Sequence, residues 1–500
     1  MWSGEEGAKS TKGMLPGRQS LGPLALILVT SVLVLFMWRM QADLDGSMLA
    51  LFNDVKVHGL GGSLGLAWTA IRPTALTWKV LGTFAAFQLF CQRCLPGELY
   101  SGPVTPKGNT PRYCDNGFKA FIANLVCYYG AVHYGLFEGG ILADEAGRMF
   151  CALNGVALVF CVFLTVKGLN FPSSSDSGSN GSWIMDFYWG TELYPRILGW
   201  DVKLFTNSRF GLMMWVLLPI SFCYKSMELD GGVLSLPLAV NVFLQLVYLS
   251  KFYWWESGYM RSIDIMQDRA GYYICWGCLV WVPSFYTSHT QFIFFHRAAI
   301  VANPMWSASL ALTFAVLGWV SIFINYDADN QVRCAMWGVG GRGGVGWCGM
   351  ERDGGTTTCT QTRTTDTHIQ HIMHDCILST PQRSVFRSTN GNCNVFGAPA
   401  TMVRATYMAA DGKERKSILL TSGYWSVSRH FHYIPELTAT FFWSAPALFT
   451  HAWPFAYLAF LVVLLFDRAF RDDARCKDKY GKYWDQYRSI VPYKVIPGII

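Results

Sequence analysis

The sequence predicts an all-α polytopic membrane protein with about nine or ten transmembrane helices. Three observations predict it. Of 500 residues, 52% are hydrophobic and only 15% charged, a balance foreign to soluble chains of this length. The apolar residues gather into separate runs divided by polar loops. The 20 Trp, 34 Phe and 23 Tyr suit helices with aromatic belts at the membrane interface.

Residues 1–20 form a polar tail containing Lys9, Lys12 and Arg18. The first run, Leu21 to Trp38, ends in Phe36-Met37-Trp38-Arg39 without a small-residue cleavage pattern, so a retained helix is expected rather than a cleaved signal peptide. Further runs cover Leu76–Cys91, Phe118–Phe137, Phe150–Val166, Phe210–Tyr224, Leu234–Phe252, Tyr272–Tyr286 and Ser307–Ile324, completing a helical block over 21–325. Leu437–Phe449 and Trp453–Phe466 follow near the C-terminus; the first is short enough to be half-buried or re-entrant. Pro103–Pro111 and Pro172–Ser182 read as loops, the second with a weak N-x-S glycosylation match at Asn180.

The net charge of +7 is modest and no Lys/Arg block is dense enough to track a phosphate backbone, which argues against nucleic acid. The cysteines Cys127, Cys151, Cys161, Cys223, Cys275 and Cys278 sit in apolar runs, where thiols behave as small hydrophobes. Met336 to Pro381 is Gly-rich, then Thr/His/Gln-rich, with no helical or strand period, and is expected to be disordered. Gly338, Gly340 and Gly343 spell G-x-G-x-x-G there, but without the flanking strand and helix that a dinucleotide fingerprint needs. His368, His371, His374, Cys376, Cys348 and Cys359 lack paired knuckle spacing, so no metal is expected.

The last quarter is the most informative. Arg429, His430, His432 and Tyr433 precede one apolar run, and Arg468, Arg471, Asp472, Asp473 and Arg475 follow another. The two clusters are expected to meet in a pocket at one membrane face. Taken singly, each of these arginines reads better as a snorkelling cation than as a ligand, but their density with Tyr and Trp suits a phosphorylated, aromatic-ringed cofactor. NADPH fits that description.

The motifs L-L-T-S-G-Y-W-S-V-S-R-H-F-H-Y-I-P-E from Leu419 and F-D-R-A-F-R-D-D-A-R-C-K-D-K-Y-G-K-Y-W-D-Q-Y to the terminal P-G-I-I resemble the two C-terminal signatures of the sterol reductase family. L-P-G at Leu95, G-P-V-T-P-K-G-N at Gly102, F-Y-W-G-T-E-L-Y-P-R at Phe187, Y-W-W-E-S-G-Y at Tyr253 and D-I-M-Q-D-R-A-G-Y-Y at Asp264 extend the resemblance over most of the chain. R-H-F-H-Y and P-G-I-I resemble the Δ7 branch rather than the Δ14 branch, which more often reads R-H-P-N-Y. His432 and Ser426 depart from the commoner Asn and Gly.

The resemblance implies a membrane enzyme of the endoplasmic reticulum that reduces a sterol double bond with NADPH. It implies cofactor contacts at Arg383, Arg387, Leu420, Trp425, His432, Tyr433, Asp472, Cys476, Lys479, Tyr480 and Tyr487. The sterol is expected in a lipid-accessible cavity with Glu256, Asp264, Asp268, Arg269 and Tyr272 as polar wall residues, although helix-to-helix hydrogen bonding accounts for them equally well. An unconjugated ring alkene accepts hydride poorly, so the expected chemistry is protonation followed by hydride transfer. Asp472, with Arg471 and Tyr433, is expected to organise it.

In relatives, I-N-Y-D at Ile324 leads within a few residues to the element at Phe386–Cys393, so Val332–Gln382 is extra sequence, and 383–500 is the expected cofactor-binding region with the last spans. Valine codons begin GT and one glutamine codon ends AG. The insertion therefore reads as a translated in-frame intron or as a solvent loop, whose closure entropy grows slowly with length. Rival readings are an isoprenylcysteine-type methyltransferase, which shares R-H-x-x-Y; a lamin-B-receptor-like scaffold, expected to carry a long basic N-terminal domain; and a transporter. The upstream blocks favour the reductase.

Overall fold

In lipid, a backbone without water must satisfy its own N–H and C=O groups, and helix is how a single apolar run does so. The computed structural model describes residues 21–102, 104–105, 107–336, 394–396, 398–408 and 414–500. The polar tail, the expected disorder after Met336, the glycine and histidine motifs, Arg383 and Arg387 lie outside the described residues.

The principal helices are α1 (Leu21–Asp43), α2 (Met48–Ile71), α3 (Ala75–Cys94), α4 (Gly117–His133), α5 (Ala146–Asn170), α6 (Val202–Leu229) and α7 (Leu236–Trp254). They continue as α8 (Tyr272–Tyr286), α9 (Ser288–Phe295), α10 (Ala308–Met336), α11 (Tyr433–Ser444), α12 (Ala456–Tyr480) and α13 (Lys482–Ile490). The chain is a polytopic helical membrane protein. Among the described residues, six helices are long and apolar enough to cross a membrane: α1, α5, α6, α7, Ala308–Asp329 of α10, and Trp453–Tyr480. This is fewer than the expected nine or ten. The remaining expected runs are also helical: α3 has 20 residues, α4 has 17, α8 has the expected 15 and α11 has 12. α2 was not foreseen, since Asp54, Lys56, His58 and a kink at Gly59 (φ 69°) interrupt its apolar pattern.

Two stretches wind as π-helix, Phe205–Gly211 opening α6 and the whole of α8. Pro283 inside α8 lacks an N–H and crowds a normal turn, which favours the wider winding. Gly211 lets the two stretches touch, because a Cβ there would stand 2.2 Å from the Cys278 carbonyl oxygen.

Polar contacts stitch the helices together. The Tyr272 hydroxyl lies 2.8 Å from Thr30 Oγ1 and 3.0 Å from Ser31 Oγ on α1. Asn154 Nδ2 donates to the Ser31 carbonyl at 2.9 Å and accepts from Trp276 Nε1. Deeper in, Arg209 and Glu256 form a pair with both side chains fully buried. Arg209 also donates to Asn116 Oδ1 at 2.5 Å, and Asn116 Nδ2 donates to the Leu95 carbonyl beyond α3. This network fixes the ends of α3 and α4 against α6.

The chain divides into two compact units. The first holds the described chain through Tyr326 and His432–Asp478; the second holds the described parts of Asp327–Ala409, Glu414–Phe431 and Lys479–Ile500. The loop after α3 is an antiparallel hairpin of β1 (Glu98–Ser101) and β2 (Arg112–Asp115). In the second unit β3 (Met402–Met408) pairs antiparallel with β4 (Glu414–Leu420), Met402 opposite Leu420.

Candidate active site

In the first unit, α12 turns two guanidinium groups inward. Arg468 and Arg471 are three residues apart, hence on one helix face. Arg468 NH2 reaches both Asp264 oxygens at 2.8 Å. Arg471 NH1 lies 3.7 Å from Asp268 Oδ2, and its Nε lies 3.6 Å from Asp467. The short turn Ile263–Met266 and the residues after it set the two carboxylates four apart. Lys203 Nζ, buried in α6, holds this segment by donating to the carbonyls of Ile265 and Asp268, each at 2.7 Å. Burial pushes the Asp268 carboxyl up to about 6, with Arg471 the strongest opposing influence and Asp264 adding to the rise.

His432 and Tyr433 open α11. Their rings lie 4.3 Å apart, and the His432 carbonyl accepts from Asn325 Nδ2 at 2.7 Å. The Tyr433 phenol is buried within electrostatic reach of Arg468, Asp472 and Asp264. Asp472 pairs with Arg475, and Cys476 Sγ lies 3.8 Å from Asp472 Oδ2. In this unit the start of α11 and the charged turns of α12 therefore come together as one site.

In the second unit, Leu420 and Trp425 are packed with Ile418 in a small core, and Trp425 Nε1 donates to the Ala328 carbonyl at 3.1 Å. Lys479 Nζ stands 4.2 Å from the Tyr407 ring and 4.9 Å from the Tyr480 ring. The aromatic series continues from Tyr480 to Trp484 (6.4 Å) and on to Tyr487 (5.1 Å). Arg429 NH1 donates to the Val491 and Pro492 carbonyls, and the His430 amide donates to the Lys494 carbonyl, tying R-H-F-H-Y to the terminal segment. A cation among aromatic faces has the chemistry to hold a phosphorylated adenine nucleotide.

The Ergosterol biosynthesis ERG4/ERG24 family matches residues 16–333 and 367–500. The chain belongs to the ERG4/ERG24 sterol reductase family. It is 40% identical to the 7-dehydrocholesterol reductase of Arabidopsis thaliana over 95% of this chain and 96% of the relative. It is 29% identical to the 7-dehydrocholesterol reductase of Xenopus laevis over 96% and 92% of the two chains. The Delta(14)-sterol reductase of Methylotuvimicrobium alcaliphilum is 28% identical over 95% and 94%.

Within this sterol reductase family member, the polar residues expected to line a sterol cavity have distinct surroundings. Asp264 and Asp268 lie in the charged array beside α12. Glu256 accepts from Ser208 and Arg209, Arg269 donates to the Gly178 carbonyl, and Tyr272 clasps α1. Sequence reasoning missed Lys203 and Arg209. Both were legible as cations beside or inside an apolar run, where an ionisable side chain demands a partner. Among the described residues, no three His, Cys, Asp or Glu side chains gather as a metal site.

Proposed function

We propose that this enzyme reduces the Δ7 double bond of Δ5,7-sterols with NADPH in the endoplasmic reticulum membrane. The observation that carries the reading is the 40% identity, nearly end to end, with a relative named 7-dehydrocholesterol reductase. R-H-F-H-Y and P-G-I-I support the Δ7 branch. Δ14 reduction is the second reading, favoured by full-length similarity to relatives named Delta(14)-sterol reductase.

In this reading the cofactor contacts are those that the family resemblance implies, Leu420, Trp425, His432, Tyr433, Asp472, Cys476, Lys479, Tyr480 and Tyr487, with Arg383 and Arg387 outside the described residues. The reduced nicotinamide supplies a hydride when bound. Lys479 neutralises phosphate and Tyr480 offers a stacking face; Arg471, Asp472 and Tyr433 organise charge at the reacting end; the buried array supplies the proton. Asp264 and Asp268 lie on the sterol side, whereas Glu256, Arg269 and Tyr272 hold the scaffold that shapes the cavity. Residues 332–382 are read as an insertion; the family match leaves out 334–366 and resumes at 367, inside those bounds.

The test is sterol profiling by gas chromatography and mass spectrometry in a yeast host that accumulates Δ5,7-sterols, expressing the chain with and without residues 332–382. Loss of the Δ7 bond with either form is expected. Membrane-inserted protein of both forms that leaves every Δ5,7-sterol intact but consumes Δ14-sterols would establish the second reading.

A further inference from the structure

The two inward-facing carboxylates beside α12 are unequal. Asp264 receives two 2.8 Å contacts from one terminal nitrogen of Arg468, a close charge-assisted pair. Asp268 is 1% exposed, its Oδ2 accepts no hydrogen bond from any described residue, and its guanidinium neighbour stands 3.7 Å away. That distance lies beyond hydrogen bonding. An ionised carboxylate buried with so little compensation is costly, and the cheaper state carries a proton. Arg471 is itself divided between Asp268 and Asp467, which weakens its hold on either.

The groups facing Asp268 from every side can be named. Arg471 and Arg468 come from α12, Lys203 from α6 and Asp264 from its own segment. The Lys203 ammonium is spent on two main-chain carbonyls, one of them that of Asp268, so it fixes the residue's position without bonding its carboxyl group. The Tyr273 phenol, half-buried on α8, lies within electrostatic reach of Arg468, Arg471, Asp264 and Asp268. Two carboxyl groups in one site with unequal partners, one in close contact with a guanidinium and one without a hydrogen bond at Oδ2, is a pattern by which proteins separate a charge-stabilising residue from an acid.

We propose that Asp268, rather than Asp472, is the proton donor to the sterol double bond, with Asp264 the neighbouring acid held by Arg468. This rests on the reductase reading above. Its proton forms a new C–H bond at one olefinic carbon, the π electrons being consumed and a carbocation left at the neighbouring carbon. Arg471 receives the resulting carboxylate. The electron pair for the second C–H bond comes as hydride from the reduced nicotinamide, which is oxidised, and water returns a proton to Asp268. Asp472, the residue after Arg471, is left to contact the cofactor.

The experiment has one arm without cofactor and one with it. Purified detergent-solubilised protein, free of cofactor and sterol, is titrated by pH-difference infrared spectroscopy. A protonated carboxyl band with a midpoint near pH 6 is expected in the wild type and absent in Asp268→Asn. A wild-type band titrating in the ordinary carboxylate range near ~4 would overturn the proposal. With NADPH and a Δ5,7-sterol, Asp268→Asn is expected to lower turnover by about 100-fold or more while NADPH affinity holds. Asp268→Glu is expected to retain partial turnover with a displaced pH profile, and it carries the test should the Asn variant fail to fold. Turnover of either variant within a few-fold of wild type, with an unmoved profile, would overturn Asp268 alone. A wild type that reduces neither Δ5,7- nor Δ14-sterols would overturn the reductase reading and the donor role with it.

Discussion

Replacing Glu256 with Gln keeps the shape of the side chain and removes its charge. The Arg209 guanidinium would then sit fully buried with only Asn116, Ser208 and a neutral amide around it. Breaking a buried pair on one side costs about 3–5 kcal/mol, because an uncompensated charge remains. With an unfolding entropy of ~2.1 cal/mol/K per residue over roughly 300 cooperative residues, Tm should fall by about 5–8 °C. The assay is thermal unfolding in detergent, followed by size-exclusion chromatography of the surviving fraction. Arg209→Met/Glu256→Met removes both charges and should melt above Glu256→Gln. Turnover per folded molecule should be little changed, since the pair is scaffold. A Glu256→Gln protein that melts within ~1 °C of wild type but binds sterol ten times more weakly would refute this reasoning and return Glu256 to the cavity wall.

Tyr272→Phe should lose ~1 kcal/mol through its contacts with Thr30 and Ser31, read as a lower Tm with an unchanged sterol KM; a raised KM at constant Tm would instead place Tyr272 against the sterol. Lys479→Ala should raise the NADPH dissociation constant about tenfold and leave Tm alone, checked by fluorescence titration. Asp268 also predicts a pH dependence of stability. Its carboxyl rises to about 6 on folding, so the folded state binds the extra proton between the unfolded and folded values. Relative to Asp268→Asn, wild-type stability should be greatest below pH ~4 and fall by about 3 kcal/mol as pH rises through 6, followed by denaturant unfolding at fixed ionic strength.

The apolar runs disclosed the helical class because twenty greasy residues admit few alternatives. Among the described residues six helices are long and apolar enough to cross a membrane, and the run expected at Tyr272–Tyr286 is helical over those same 15 residues, wound as π-helix with Pro283 inside it. α2 stayed hidden because its charged residues sit at the centre of its pattern. At the site, the cluster on α12 was visible as density of charge, and Tyr433 does lie within reach of it. The unequal environments of Asp264 and Asp268 were not visible, since both read as acids four apart and only packing separates a 2.8 Å contact from a 3.7 Å one. Lys203 and Arg209 could have been flagged, but their long-range partners stand 47 to 93 residues away in the chain.

The clasp between Tyr272 and α1 also sets a schedule for biogenesis. Thr30 and Ser31 leave the ribosome some 242 residues before the tyrosine that completes their bonding. At synthesis rates of 5–20 residues per second, the first helix waits roughly 10 to 50 s for its partner. During that interval its hydroxyl groups are turned toward lipid, insertion machinery or their own helix carbonyls, as Thr30 does by donating to the Leu26 carbonyl at 2.6 Å. The earliest span is thus held in readiness by its own backbone and is locked into the bundle only after more than half of the chain has been made.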